Sequence, residues 1–273
     1  MINYFLQKMR DTPDHQALVS SRFSATYEQL LELYEKFSLW IEQNNIPGGA
    51  VVSFDGDYSP QSISLFLALT QNKNIIVPLS RDSRHHFTEF REIAATEYDI
   101  SLKDGEAALT TTGRKAEHSI YQELRDRESP GLVLFSSGST GKSKAIVQDL
   151  NKLMEKFRTP RKPLRMLIFL QLDHIGGINS LLYTLANNGT VIVSDDRTPV
   201  GVCRAIQSYK ADLLPTSPTF LNLLMLSKAY EEFDLSSLKL ITYGTEPMQE
   251  STLKRLAKIL PDAVLQQTYG LSE

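Results

Sequence analysis

Cysteine is almost absent from this sequence: a single residue, Cys203, stands among 273. One thiol can form neither an internal disulfide nor a zinc site built from several cysteines. Cys203 lies in an apolar segment with helical spacing, and we interpret it as a small hydrophobic core residue. A disulfide-stapled secreted fold is therefore excluded, and the use of cysteine fits a reducing compartment.

Long apolar runs and a strong excess of charge are lacking as well. No stretch approaches the roughly 20 apolar residues that span a bilayer, and residues 1–8 lack the apolar core of a signal peptide. The 29 basic and 32 acidic residues give a formal net charge of -3, which offers no reason to expect nucleic acid or an anionic membrane as a partner. We therefore predict a cytoplasmic protein without such partners, and its oligomeric state stays open.

The sequence does contain a regular alternation of apolar strands and amphipathic helices. With 41% apolar residues, the chain can bury a sizeable core as one large domain or two smaller ones. From about residue 164 onward strands and helices alternate, which predicts an α/β fold of predominantly parallel sheets covered by helices. A polar middle that ends near residue 130 predicts two α/β subdomains, residues 1–130 and 131–273. Ligands of such sheets bind at the carboxyl ends of the strands.

Local signals mark where several elements begin and end. Thr26, with Gln29 three residues later, predicts a capped helix whose apolar residues then recur at helical spacing. Ser59 followed by Pro60 predicts another helix start. Pro78 is predicted to end the apolar strand that precedes it.

The strongest local signal is a loop rich in hydroxyls, glycines and lysines that follows an apolar strand at residues 132–135. Glycines let the backbone fold around a phosphate, hydroxyls donate hydrogen bonds, and ammonium groups offset phosphate charge. The two lysines directly after the glycines argue against a simple flexible turn. The candidate phosphate-binding residues are Ser136, Ser137, Gly138, Ser139, Thr140, Gly141, Lys142 and Lys144.

A Walker A loop is the alternative for this segment. Residues 141–143 match the end of that motif, but its first glycine would stand at position 136, which is Ser136. A P-loop also opens directly into a helix, whereas residues 144–148 predict a strand, with a helix only after Asp149. We therefore favour a phosphate loop between two strands over a P-loop kinase or NTPase.

The loop resembles the phosphate loop of adenylate-forming enzymes, the superfamily of acyl-CoA synthetases, luciferases and peptide-synthetase adenylation domains. Their loop runs Thr/Ser-Ser-Gly-Ser/Thr-Thr-Gly-x-Pro-Lys-Gly, and this chain matches it through Gly141 and again at Lys144. Ser143 replaces the usual proline and Ala145 the usual glycine. These departures bear on the stiffness of the loop and leave its hydroxyls and Lys144 in place.

Downstream motifs occur in the order of that family. His174 and Gly177 match its Pro-Leu-Phe-His-x-x-Gly segment, whose histidine or aromatic residue lines the carboxylate pocket. Amino-acid-activating members carry a carboxylate directly after that position, but here it is Ile175, which cannot balance an ammonium ion. The resemblance thus implies a fatty, aryl or other acid with an uncharged tail, unless the alignment shifts by two residues and brings in Asp173.

Two further motifs complete the series. Residues 243–248 resemble the family's Gly-Gly/Ala-x-Pro-Leu segment, which packs against adenine and the acyl pocket, and Pro247 predicts a helix start there. Residues 269–273 resemble Tyr-Gly-x-Thr-Glu, in which the tyrosine stacks on adenine, the hydroxyl meets the α-phosphate and the glutamate holds Mg²⁺. The implied nucleotide-binding residues of both segments are Gly244, Thr245, Glu246, Tyr269, Gly270 and Ser272, and the implied metal ligand is Glu273.

The resemblance covers essentially the whole chain and implies two half-reactions. A carboxylate attacks the α-phosphorus of ATP and expels pyrophosphate, and the acyl-adenylate then gives its acyl group to the thiol of CoA or of a phosphopantetheine-bearing carrier protein. ATP and Mg²⁺ are the implied cofactors. The implied catalytic residues are His174, Lys144 and Glu273, which would position the reactants and offset charge.

Family members continue past the position of Glu273 with a Thr-Gly-Asp segment and a small C-terminal domain that supplies a lysine for adenylation. We therefore expect this chain to be the N-terminal, ATP- and acid-binding part of such a ligase, truncated after the Tyr-Gly-x-Ser-Glu motif. We expect it to catalyse little or no adenylation alone. The alternative is a non-catalytic nucleotide- or acyl-binding remnant, or one half of a split enzyme.

Two lysine variants distinguish the phosphate-loop hypotheses. Lys144→Ala is expected to abolish ATP binding, because Lys144 holds the place of the family's phosphate-binding lysine, whereas Lys142→Ala is expected to leave ATP binding unchanged. Titration calorimetry with ATP measures both. The reverse pattern would favour a P-loop, and an unaffected double variant would favour a remnant that binds through another surface.

Overall fold

The computed structural model describes residues 1–103, 105–137, 143–244 and 246–269, which form helices and two sheets. The strands are β1 (Gln16–Val19), β2 (Ser24–Thr26), β3 (Val51–Asp55), β4 (Ile75–Leu79), β5 (Tyr98–Lys103), β6 (Glu106–Thr111), β7 (Gly131–Ser137), β8 (Ser143–Asp149), β9 (Arg165–Ile168), β10 (Thr190–Val193), β11 (Leu213–Thr216), β12 (Leu240–Tyr243) and β13 (Val264–Gln267). The α-helices are α1 (Ile2–Asp11), α2 (Tyr27–Gln43), α3 (Pro60–Gln71), α4 (Phe87–Ile93), α5 (Ser119–Asp126), α6 (Leu150–Glu155), α7 (Ile175–Ala186), α8 (Pro199–Tyr209), α9 (Pro218–Ser227) and α10 (Glu250–Ile259). Within these ranges, no helix has the length and apolar character needed to cross a membrane.

Both sheets are mostly parallel. The large sheet has the strand order β13-β12-β11-β9-β10-β1-β2, and its one antiparallel pair is β1 with β2 at the edge. The small sheet has the order β6-β5-β3-β4-β7-β8, with antiparallel pairs at its two edges. Parallel strands need helical crossovers that cover the sheet faces. The predicted α/β class is thereby confirmed.

Residue 130 does not separate the two sheets. The early strands β1 and β2 belong to the large sheet, whereas β7 and β8, which follow residue 130, belong to the small one. Each sheet therefore takes strands from both sides of residue 130, and the division into subdomains 1–130 and 131–273 stays a prediction. The polar stretch before residue 130 marks a local change in composition, but strand pairing is a long-range interaction that local composition does not encode.

The core is arranged in three apolar layers. Helices α1, α2, α3 and α7 fill the middle layer, where their buried residues meet the inner faces of both sheets. Helices α8, α9 and α10 cover the outer face of the large sheet, and α4 and α5 cover that of the small sheet. Strand residues alternate between layers, as Met166 and Leu167 of β9 do, so both faces of each central strand are buried.

The predicted helix starts at Thr26 and Ser59 are confirmed. The Thr26 hydroxyl accepts a hydrogen bond from the Gln29 amide at 3.3 Å, and the Gln29 side chain accepts one from the Thr26 amide at 2.9 Å. The Ser59 hydroxyl accepts from the Ser62 amide at 3.1 Å, with Pro60 in the first helical position. These contacts satisfy amides that would otherwise lack a partner in the first turn.

Two predictions about proline are wrong. β4 continues through Pro78, which pairs with Phe54 of β3. Pairing between β4 and β7 ends at Ile76. Proline has no amide N–H to donate, and its absence is tolerated on the side where β4 no longer pairs with β7. Helix α10 begins at Glu250, three residues after Pro247. The prolines that do start helices here follow a capping serine or threonine, whereas Pro247 follows a glutamate whose carboxylate accepts hydrogen bonds from Thr219 instead.

Asp173 ties the carboxyl ends of the two sheets together. It lies in the turn between β9 and α7, and its Oδ2 accepts hydrogen bonds from the Ser80 amide at 3.2 Å, the Ser80 hydroxyl at 2.6 Å and the Ser83 hydroxyl at 2.8 Å. Ser80 directly follows β4 of the small sheet and is buried. Hydrogen bonds to a carboxylate are stronger than those between neutral groups. The link therefore fixes the loops at the carboxyl ends of both sheets against each other.

Removing this link is expected to destabilise the protein. Asp173→Ala leaves the buried Ser80 amide and hydroxyl without their acceptor and should lower the free energy of unfolding by about 2–3 kcal/mol. Asp82→Ala is the control, because Asp82 pairs with Arg197 at an exposed position and its loss should change stability by less than about 0.5 kcal/mol. Urea unfolding measures both, and equal effects would contradict the assigned role of Asp173.

Candidate functional site

A cavity of about 280 Å³ lies where the carboxyl ends of four parallel strands of the large sheet meet. It is bounded on one side by the first turns of α7 and on the other by the residues at or just beyond the ends of β9, β11, β12 and β13. This is the edge at which parallel α/β sheets bind ligands. Its lining residues are Leu170, His174, Ile175, Gly176, Asn179, Ser180, Pro215, Thr216, Thr242, Gly244, Thr268 and Tyr269.

His174 presents a neutral ring with its proton on Nε2. It caps helix α7, and its Nδ1 accepts a hydrogen bond from the Gly176 amide at 3.0 Å. An amide N–H can only donate, so Nδ1 carries no proton and the neutral ring holds its proton on Nε2. Burial lowers the pKa of His174, and the neighbouring Asp173 carboxylate opposes this in part. The ring can therefore donate one hydrogen bond from Nε2 to a carboxylate in the cavity.

Gly177 is required by the turn that brings His174 to the cavity. A Cβ at Gly177 would lie 1.9 Å from the Gln171 carbonyl oxygen and 2.7 Å from that of Leu170, both backbone atoms that cannot move aside. The first turn of α7 thus packs directly on the backbone that follows β9. In the Pro-Leu-Phe-His-x-x-Gly motif, the glycine at the position of Gly177 is thus required by this close contact between two backbone segments.

Gly244 and Tyr269 meet at the opposite wall of the cavity. A Cβ at Gly244 would lie 2.6 Å from the Thr268 carbonyl oxygen, so the chain after β12 runs close to the chain after β13. Tyr269 stands just beyond β13 with its side chain 92% exposed. A ring with a free face at the mouth of a cavity can stack on a planar ligand.

Asp173 does not line this cavity. Its Oδ2 is occupied by Ser80 and Ser83 in the link between the sheets, as described above. Among the described lining residues none is an aspartate, glutamate, lysine or arginine. The side chain that follows His174 into the cavity is Ile175, so the alternative alignment with Asp173 as the partner of an ammonium ion finds no support in the geometry.

The described phosphate-loop candidates, Ser136, Ser137 and Lys144, lie on two paired strands at the edge of the small sheet. β7 and β8 are antiparallel, with Ser136 opposite Lys144, and α6 begins only after Asp149. The predicted strand after the loop is confirmed, and this geometry contradicts the Walker alternative, which requires a helix there. Ser136 is half-buried and Lys144 exposed, and neither lines the cavity.

Several predicted site residues are not brought to the cavity or are outside the described ranges. Glu246 is exposed, and its carboxylate accepts hydrogen bonds from Thr219 at the start of α9. Ser137 ends β7 opposite Ser143. The candidates outside the described residues are Gly138, Ser139, Thr140, Gly141, Lys142, Thr245, Gly270, Ser272 and Glu273.

Sequence reasoning missed the polar residues of the cavity wall. Asn179 and Ser180 lie on the same face of α7 as Ile175 and Gly176, one helical turn further on. Thr242 lies two residues before Gly244 on the face of β12 that is turned toward α7. The spacing of four along α7 and of two along β12 was a signal that could have found them.

The comparisons with known proteins agree with this architecture. A sequence model described as AMP-binding enzyme matches residues 88–273. The chain is similar to 4-coumarate–CoA ligase-like 9 of Arabidopsis thaliana, with 26% identity over 183 residues that cover 63% of this chain and 33% of that protein. The chain thus spans about a third of the length of this curated relative.

Solved structures resemble the chain over its full length. The luciferase-like enzyme of the mealworm Zophobas morio has a TM-score of 0.80 at 19% identity, covering 100% of this chain and 72% of that one. The N-terminal subdomain of Klebsiella oxytoca NpsA in complex with 3-hydroxyanthranilyl-AMSN has a TM-score of 0.81 at 18% identity, covering 100% and 73%. At these identities the likeness shows the fold, and it includes the residues before position 88.

The capping role of His174 predicts a pH dependence of stability. Below the ordinary pKa of 6.5, the unfolded chain protonates His174 while the folded ring, with its lowered pKa, resists the proton. The contribution of the neutral ring is therefore complete above pH 6.5 and is lost as the pH falls toward the folded pKa. His174→Asn keeps an acceptor for the Gly176 amide but cannot titrate. Between about pH 7.5 and about pH 5.5 the variant should lose less free energy of unfolding than the wild type, and equal losses would contradict this role.

Proposed function

The chain belongs to the AMP-binding enzyme family, and on that premise we propose that it binds ATP and a carboxylic acid for activation as an acyl-adenylate. The main support is that one cavity at the carboxyl edge of the large sheet is bordered by His174, Gly244 and Tyr269, which lie far apart in the sequence. Because the chain spans about a third of the length of its ligase-like relative, both half-reactions together are a proposal for the enzyme as a whole.

The acid is placed against α7. In this proposal the Nε2–H of His174 donates a hydrogen bond to a carboxylate oxygen and holds the acid so that its other oxygen can attack the α-phosphorus of ATP. Attack forms the C(O)–O–P bond, and the bond from the α-phosphorus to the pyrophosphate oxygen breaks with its electron pair. A neutral donor suits this task, because it orients the carboxylate without taking its charge away.

The nucleotide is placed against β12 and β13. Tyr269 would stack on adenine, and Gly244, where the chain after β12 lies close to Thr268, would border the nucleotide with its backbone. Lys144 and the loop from Ser136 to Lys142 would bind the β- and γ-phosphates, and Ser272 the α-phosphate. When bound, Mg²⁺ would offset phosphate charge, and Glu273, which holds the place of the glutamate in the Tyr-Gly-x-Thr-Glu motif, is its proposed ligand.

The acid is proposed to lack an amino group. No carboxylate lines the described cavity, and an ammonium ion buried there would lack a partner. In the second half-reaction a thiol would attack the acyl carbon and release AMP. The name of the CoA ligase-like relative supports CoA as that thiol, with a pantetheinyl carrier as the other candidate.

Binding of an uncleavable acyl-adenylate mimic tests this function. Benzoyl-sulfamoyl-adenosine is expected to bind more tightly than AMP, because it occupies the acid and the adenine positions together. Tyr269→Ala should weaken binding of both compounds roughly tenfold through loss of stacking, whereas Tyr269→Phe keeps an aromatic face and should bind like the wild type. Titration calorimetry provides the affinities. Absence of binding by the wild type to both compounds would overturn the proposal.

A further inference from the structure

The wall of the cavity formed by α7 carries a polar side chain at a defined distance from His174. Ile175 and Asn179 lie four residues apart, so they stand on the same face of the helix, one turn apart. A helix rises about 1.5 Å per residue, which puts Asn179 roughly 7 Å further along α7 than His174. An aryl ring between a carboxyl group and a para substituent has about this reach.

Lys156 fixes which atom of Asn179 is left for a ligand. The Lys156 ammonium, just past the end of α6, donates a hydrogen bond to the Asn179 Oδ1 at 2.7 Å. An ammonium group has donors and no acceptor, so the amide oxygen of Asn179 must face Lys156, and the amide NH2 group at Nδ2 is turned the other way. Among the hydrogen bonds of the described residues, none uses this Nδ2. The group that Asn179 offers is therefore a donor.

The facing wall adds a second polar group. Thr242 stands on the face of β12 that is turned toward α7, and its hydroxyl makes no hydrogen bond within the described ranges. Ser180 also lines the cavity, but its hydroxyl donates to the Gly176 carbonyl at 2.8 Å inside the helix. Thr216, next to Pro215 on β11, also lines the cavity, and its buried hydroxyl has no hydrogen-bond partner among the described residues. Ile175 and Pro215 are apolar, and no described lining residue is an aspartate, glutamate, lysine or arginine.

We propose that the acid accepted by this site has an uncharged, aryl-sized tail with an oxygen at its far end, which accepts a hydrogen bond from the amide NH2 group of Asn179. Lys156 is the positioning residue, because its hydrogen bond to Oδ1 of Asn179 keeps the NH2 group of that amide pointing away from Lys156. Thr242 supplies a hydroxyl for the same oxygen. An acid with an alkyl tail would leave these polar groups unpaired, and a positively charged tail would find no carboxylate among the described lining residues. This inference rests on the proposed function and names its substrate class.

A matched pair of adenylate mimics tests the inference. The 4-hydroxybenzoyl and 4-methylbenzoyl derivatives of sulfamoyl-adenosine have nearly the same shape and differ in the terminal oxygen. The wild type is expected to bind the hydroxyl compound roughly tenfold more tightly, measured by titration calorimetry. Asn179→Leu should remove this preference and leave the affinity for the methyl compound unchanged or improved, because leucine has similar volume and no donor.

Two further variants separate orientation from general packing. Lys156→Met should reduce the preference severalfold without changing the affinity for the methyl compound, a result that a merely structural role would not produce. Lys152→Met is the matched control, because Lys152 is exposed one turn earlier on α6 and does not line the cavity, and its preference should match the wild type. Retained binding of the methyl compound shows that each variant is folded.

The outcomes distinguish this inference from the function on which it rests. Equal binding of the two compounds by the wild type, or a preference that persists in Asn179→Leu, would overturn the inference and leave acyl-adenylate binding intact. Failure of the wild type to bind either compound would overturn the proposed function and the inference with it.

Discussion

The apolar layer between the two sheets constrains everything else in this molecule. Helices α1, α2, α3 and α7 are buried there against both sheets, so neither sheet can shift without exposing the core of the other. The chain also crosses between the sheets: β1 and β2, near the N-terminus, belong to the large sheet, whereas the strands that follow them, β3 to β8, form the small sheet. The middle apolar layer therefore holds the two mostly parallel sheets in a single arrangement, and the link between Asp173 and Ser80 fixes their carboxyl ends locally.

The site follows from that arrangement. Parallel pairing of β9, β11, β12 and β13 places four strand ends at one edge, and the turn after β9 is held both by Asp173 and by the close approach at Gly177. His174 comes next in the chain, and its cap on α7 sets its tautomer. The interaction that starts the helix thus also decides which nitrogen of the His174 ring can donate a hydrogen bond.

Electrostatics then decide what the cavity accepts. Asp173 precedes His174 in the chain, but its Oδ2 accepts hydrogen bonds from Ser80 and Ser83, and Asp173 does not line the cavity. The described lining offers hydrogen-bonding groups without a fixed charge. In the proposed function, this uncharged lining would receive a planar nucleotide and an acid with a neutral tail. Lys144, the described basic candidate for phosphate binding, lies on β8 of the small sheet and does not line the cavity.

Local sequence signals were sufficient where the physics is local. The capping pairs at Thr26 and Ser59, the strand after the phosphate loop and the alternation after residue 164 follow from hydrogen bonds and hydrophobic periodicity within a few residues. The predictions at Pro78 and Pro247 were wrong because each depends on what lies beside the segment. At Pro78, the deciding feature is that β4 no longer pairs with β7. At Pro247, it is that the preceding Glu246 accepts hydrogen bonds from Thr219 and does not cap the helix.

The sequence by itself determined the α/β class, the order of the motifs and the identity of the residues that border the cavity at His174, Gly244 and Tyr269. It could do so because these signals lie in short segments. Only the tertiary structure decided which strands share a sheet, that Asp173 serves the fold, and that Asn179 presents its amine. Each of these depends on a contact between residues distant in the chain, as between Asp173 and Ser80 or Lys156 and Asn179, and no local pattern specifies such a contact.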